Sequence, residues 1–218
     1  MSRAIAIDGP AASGKSSAAK VLAERLGLVM VNSGAMYRAM TWKILDVGID
    51  PKDNCAVVQA LPAMDLECGI DPSGKVSTVG FDGQVLDQQL RTEEVNNAVS
   101  AISAIPELRQ ILLEKQNAYL DSHDVVMEGR DIGTVVFPST PYKFFFEASE
   151  KIRQARREAE GVTDSIAERD KQDSSRETAP LKPADDAIIV NTGDYDLDGV
   201  VECVIQHLDD LGWDEGEC

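Results

Sequence analysis

The chain has few of the features that mark an extracellular or membrane-spanning protein. Its 218 residues include four cysteines, and Cys55, Cys68, Cys203 and Cys218 form neither a C-x-x-C pair nor another metal-ligand spacing. They read as free thiols in a reducing compartment. No run approaches the roughly 20 apolar residues of a membrane span. The opening "MSRAIAIDGP" becomes a strand-like segment at once, with no room for a signal peptide. A cytoplasmic protein is expected. His123 and His207 are isolated and read as structural or surface residues.

Basic residues are missing from one end. No lysine or arginine follows Lys182, yet 11 of the 38 acidic residues do, so most of the net charge of -17 lies there. The closing "DDLGWDEGEC" reads as a solvated helix end and tail. Long-range attraction of nucleic acid is disfavoured by this balance. Composition gives no sign of an oligomer.

What is present is a core. Hydrophobic residues make up 43% of the chain, enough for one sizeable domain over 1–218. Five apolar runs read as buried parallel strands: Arg3 to Asp8, Leu28 to Val31, Asp124 to Glu128, Lys143 to Glu147 and Ala187 to Asn191. Helical patterns separate most of them, such as alanine-rich Lys15 to Leu26 ending at Gly27, and the segment opened by Pro106. Alternation of this kind implies an α/β sandwich around a mostly parallel sheet. Between about Pro62 and Leu90, glycine and aspartate punctuate short alternating runs, which suggests a small antiparallel insertion.

Directly after the first strand stands "GPAASGKSS". Gly9-x-x-x-x-Gly14-Lys15-Ser16 satisfies the P-loop pattern, with a strand before it and a helix after it. Small residues let successive N–H groups curl around a phosphate at a helix N-terminus. Lys15 is placed to reach the β- and γ-phosphates of ATP, Ser16 to offer a hydroxyl to Mg²⁺, and Ser17 to meet phosphates nearer the base. Gly9, Pro10, Ala11, Ala12, Ser13 and Gly14 complete the ATP-binding set. No N-K-x-D guanine signature occurs, which argues against a GTPase switch. The loop by itself names the donor and leaves the reaction open.

The other strand ends narrow it. Arg38 in "NSGAMYR" follows the second strand, and Arg130 and Asp131 in "EGRDIGT" follow the third. Ligands of open α/β sheets bind outside the carboxyl ends of the strands, so these segments share a rim with the P-loop. Glu128 either holds Mg²⁺ through water or is a strand-end carboxylate satisfied by backbone N–H groups. After the fourth strand, Arg153, Arg156 and Arg157 in "EKIRQARREAEG" project from one side of a helix. Arginines so placed suit the dispersed charge of phosphoryl transfer.

Taken in order, "IDGPAASGKSS", "NSGAMYRA", "RTEEVNNAVSAISAIPELR", "EGRDIGTVVFP" and "RDKQDSSRETAPLKPADDA" resemble the successive signature segments of the bacterial cytidylate kinases. The resemblance runs from about residue 3 to 192. It implies a P-loop kinase fold: a five-stranded parallel sheet flanked by helices, a monophosphate-binding insertion over about 61–92 and a short helical lid over about 149–176. The core would be about 1–60, 93–148 and 177–218. It implies transfer of the γ-phosphate of ATP to CMP or dCMP with Mg²⁺, by a monomer.

Carried over by position, Ser33, Arg38, Ser100, Arg109, Arg130, Asp131, Asp173 and Arg176 fall where the family binds the nucleoside monophosphate. Arginine forks suit the acceptor phosphate, so Arg38, Arg130 and Arg176 are placed there. Cytosine offers an N4 amine beside acceptors at N3 and O2, which suits Asp131 facing the amine and Arg109 and Ser100 facing the acceptors. Asp173 is expected near the sugar. Arg130, Arg153 and Arg157 join Lys15 as the catalytic cations, Arg156 is assigned to ATP, and Arg169 begins the returning side of the lid. Only "EAEGVTDSIAE" separates Arg157 from Arg169, so the lid is shorter than in the longer members. A monophosphate has a second pKa near 6, so no catalytic base is required. The competing readings are a P-loop kinase for another monophosphate or small metabolite, and a non-catalytic ATP-binding module.

Overall fold

The computed structural model describes residues 2–159, 166–176 and 178–213. Residues 160–165, within the expected lid, the side chain of Arg169, and the acidic residues 214–218 with Cys218 lie outside the described residues. In chain order the first half comprises β1 (Ala4–Asp8), α1 (Lys15–Leu26), β2 (Val29–Asn32), α2 (Ser33–Asp46), α3 (Asn54–Ala60), β3 (Glu67–Ile70), β4 (Ser77–Phe81), β5 (Gln84–Val85) and α4 (Glu93–Ile102). The second comprises α5 (Pro106–Asn117), β6 (Val125–Gly129), β7 (Lys143–Glu147), α6 (Glu150–Ala159), α7 (Ile166–Ser174), β8 (Ile188–Asn191) and α8 (Leu197–Asp210).

Strand geometry explains the layers. Side chains alternate across a strand, and β1 is apolar on both faces. Ala4 and Ala6 join one hydrophobic cluster with α2, α4 and α5, while Ile5 and Ile7 join another with α1 and α8. At β6, Val125 and Met127 face the first cluster and Val126 the second. Such strands must be covered twice, which produces helices on both faces of a parallel sheet. The order is β2-β6-β1-β7-β8, with every pair parallel. Each of the five strands lies within one residue of its expected bounds.

The helix starts follow local chemistry. Gly14, with φ 88°, opens α1, and the Asn32 side chain accepts from the Ala35 N–H at 3.0 Å to cap α2. Thr92 caps α4, and Pro106 occupies the first turn of α5, where its missing N–H costs nothing. The antiparallel β3-β4-β5 sheet falls inside the segment whose punctuation suggested it. It shares the first core, because Val79 and Phe81 pack into the same cluster as α2, α4 and α5. No helix among the described residues is long and apolar enough to cross a membrane.

Candidate active site

The P-loop is held open from behind. A Cβ on Gly9 would stand 2.2 Å from the Phe146 carbonyl oxygen, so only glycine lets the chain leave β1 against β7. Ala12 is held in the left-handed region at φ 56°, which a non-glycine residue adopts only where the surroundings impose it. Three successive carbonyls are then bound from outside. Arg153 Nη1 donates to Ala11 O (3.1 Å), Arg156 Nη1 to Ala12 O (3.4 Å) and Thr192 Oγ1 to Ser13 O (2.8 Å). The Asp170 carboxylate, paired with Arg153, accepts the Ala11 N–H at 3.3 Å. Lys15 is buried, with Nζ donating to Pro10 O (2.7 Å) and Ser13 Oγ (3.2 Å). Burial, reinforced by the charge of Arg130, brings its pKa down to about 7.

In front of the loop lies a cavity of about 220 Å³, walled by Ala11, Ala12, Lys15 and Ser16 on one side and by the ends of β2 and β6, α4 and α7 on the others. It gathers the cations Lys15, Arg38, Arg109, Arg130, Arg157 and Arg176 against the acids Glu128, Asp131 and Asp173. A cationic hollow in a chain of net charge -17 has one ready use, the binding of an anion. Ser33 and Ser100 also line it. Of the predicted residues, Gly9, Pro10, Ser13, Gly14 and Ser17 of the loop are not in its walls, nor are Arg153 and Arg156, whose guanidinium groups hold the back of the P-loop; Arg156 also grips Thr192 through its hydroxyl (3.1 Å) and carbonyl (2.8 Å).

The far wall is a web of paired charges. Arg109 and Asp131 form a buried ion pair, and the Arg109 guanidinium stands 5.5 Å from the centre of the Tyr37 ring. Burial raises the pKa of Asp131, opposed first by the charge of Arg109. Asp173 is buried between two arginines, accepting from Arg130 Nε at 2.9 Å and pairing with Arg176. Arg38 Nη1 donates to Leu90 O (2.9 Å) and Asn96 Oδ1 (2.7 Å). Glu128 accepts from Ser16 Oγ at 2.7 Å, so a P-loop hydroxyl, and not the strand-end backbone, engages this carboxylate.

One essential tie escaped the sequence reading. Asp8, the last residue of β1, is buried and accepts from Ile132 N (2.8 Å) and Gly133 N (2.7 Å), just past Arg130 and Asp131. Burial pushes its pKa up to about 6, even though both backbone N–H groups favour the charged form. Asp8→Ala would leave two buried donors unmet, and urea unfolding is expected to show a loss of about 2–4 kcal/mol. A loss below about 0.5 kcal/mol would mean that the loop finds other acceptors.

The cytidylate kinase sequence profile matches residues 5–210. A Streptomyces avermitilis protein named cytidylate kinase is 42% identical over 210 residues, which cover 92% of this chain and 90% of the relative. The chain belongs to the cytidylate kinase family. A Pseudomonas aeruginosa relative of the same name is 37% identical over 221 residues, covering 96% of each chain. Among solved structures, one described as a sugar kinase from Janibacter sp. HTCC2649 has a TM-score of 0.50 at 14% identity, over 96% of this chain and 95% of that one, a likeness of fold alone.

Within this cytidylate kinase family chain, the residues missed by sequence reasoning share a property. Asp8, Thr192, Asp170 and Ser103 act on segments distant in sequence, through contacts that no local pattern reports. Thr192 and Asp8 carry a signal, since one directly follows a strand and the other ends one at the ligand-binding rim.

Proposed function

We propose that the protein transfers the γ-phosphate of ATP to CMP or dCMP, giving ADP with CDP or dCDP. The observation that carries this reading is the buried Arg109–Asp131 pair in the same cavity as Lys15 and Ser16. Arg109 engages Oδ2 of Asp131, which leaves Oδ1 for the N4 amine of cytosine, while Arg109 and Ser100 can donate to its ring acceptors. Uracil would set a carbonyl oxygen against that carboxylate. Arg38, Arg130 and Arg176 receive the acceptor phosphate, and Asp173 orients two of them.

The acceptor phosphate, with its second pKa near 6, is largely dianionic at neutral pH and attacks without a base. Lys15 holds the donor phosphates from the P-loop side. Arg130 and Arg157, facing the cavity, compensate the charge that spreads over the moving phosphoryl group. Arg153 contributes by shaping the P-loop, and Arg156 with Thr192 by bracing it where ATP lies. The hydroxyl of Ser16 and the carboxylate of Glu128 are hard oxygen donors that fit Mg²⁺, which typically takes few protein ligands and completes its shell with phosphate and water. Bound with ATP, Mg²⁺ would neutralise charge on the β- and γ-phosphate oxygens.

The test is ADP release with CMP, dCMP, UMP, AMP and shikimate offered in parallel. Turnover concentrated on CMP and dCMP is expected. Preference for another acceptor would overturn the cytosine assignment and keep the donor site. No turnover with any of them would favour a non-catalytic ATP-binding module.

A further inference from the structure

Ser103 joins the end of α4 and the start of α5 to Arg176, 73 residues further along the chain. It is buried just past the end of α4. Its hydroxyl donates to Ser100 O at 3.0 Å and accepts from Arg176 Nη2 at 2.7 Å. Its backbone carbonyl accepts from Arg109 Nη1 at 3.1 Å. One small residue therefore meets the segment carrying Ser100, the arginine paired with Asp131, and the arginine that follows α7.

The directions of these bonds matter. A serine hydroxyl has one proton, and here it is used on Ser100 O, so a lone pair is left facing Arg176. Arg176 Nη2 has two hydrogens, and its partners are Asp173 and Ser103. Two partners on one nitrogen of a planar fork fix the orientation of the whole guanidinium. Nε of Arg176 is then left buried, with no hydrogen-bond partner among the described residues. Burial already lowers the pKa of this arginine. The guanidinium so oriented stands in the wall of the cationic cavity, a fixed charge-assisted donor group for an anionic oxygen.

We propose that Ser103 is a positioning residue for the acceptor: it presets Arg176 for the acceptor phosphate and ties it to Arg109 in the base pocket. The inference rests on the CMP-kinase reading and deepens it. The hydrogen bonds of Ser103 go to Ser100, Arg109 and Arg176 and none to the P-loop, so its removal is expected to act on acceptor and not on donor.

The experiment compares wild type, Ser103→Ala, Arg176→Ala and the double variant. It measures KM for CMP and for ATP, CMP binding by calorimetry, and Tm. Ser103→Ala is expected to raise KM and Kd for CMP about tenfold, as loss of a hydrogen bond to a charged group would, with KM for ATP within about twofold and Tm nearly unchanged. In the Arg176→Ala background the same change should weaken CMP binding no further, because Ser103 acts through Arg176. Unchanged CMP parameters, equal losses for CMP and ATP, or full additivity of the two substitutions would overturn the proposal. If wild type favours another acceptor, the CMP reading fails by itself, and the same ratios measured with that acceptor decide the role of Ser103.

Discussion

Lys15→Met is expected to lower kcat by about 10³-fold or more, the scale of losing a preorganised cation at a phosphoryl group, while Tm stays level or rises. The two halves of this result have separate causes. In the nucleotide-free protein Lys15 is buried, and its hydrogen bonds go to Pro10 O and Ser13 Oγ. Its pKa, brought down to about 7 from 10.5, records that the folded state resists its charge. An isosteric apolar side chain removes that cost. Above pH 7 the folded protein has released this proton while the unfolded chain still binds it. The Lys15 contribution to stability therefore rises with pH between about 7 and 10.5, and is level at its lowest below that window. Unfolding free energies at several pH values should show this slope in wild type and lack it in Lys15→Met. A wild-type turnover rate in the variant would remove Lys15 from the chemistry.

The second large effect is expected at Asp131. Asp131→Asn should raise KM for CMP by about 10²-fold, as when a site built for a polar group meets a mismatch, and leave KM for ATP within about threefold. Asparagine is preferred to alanine here because Arg109 is buried against this carboxylate. Bare removal of one partner from a buried pair strands the other, at a cost of about 3–5 kcal/mol, which would confuse recognition with folding. An amide can also turn its NH₂ toward a carbonyl, so the ratio of UMP to CMP turnover should rise. Equal losses for CMP and ATP would refute the assignment of Asp131 to the base.

Recognition at this site was legible where it sits on a strand end and illegible where it depends on long-range contact. Lys15, Arg38, Arg130 and Asp131 follow apolar runs, and burial on both faces made those runs easy to see. The bounds of α1 were readable because Gly14 and Gly27 punctuate it. Arg109 could have been the exposed face of an amphipathic helix. Its burial comes from Asp131, 22 residues further on, which periodicity does not show. Helical spacing puts Arg153, Arg156 and Arg157 on one cationic face, and packing divides them, with two gripping the P-loop from behind and one lining the cavity. Asp8 looked like the polar end of a strand. Its partners at Ile132 and Gly133 stand 124 and 125 residues away and are backbone atoms, so no residue type marks them.

The adjacency of β1 and β6, in the register Asp8↔Gly129, reaches beyond this chain. The P-loop leaves one of these strands and the loop carrying Arg130 and Asp131 the other, so their roots are spaced by the pitch of a sheet, about 4.8 Å. That ruler is made of main-chain hydrogen bonds, which every non-proline residue supplies. Substitution can therefore rewrite most surfaces of the molecule while the offset between these two loops stays put.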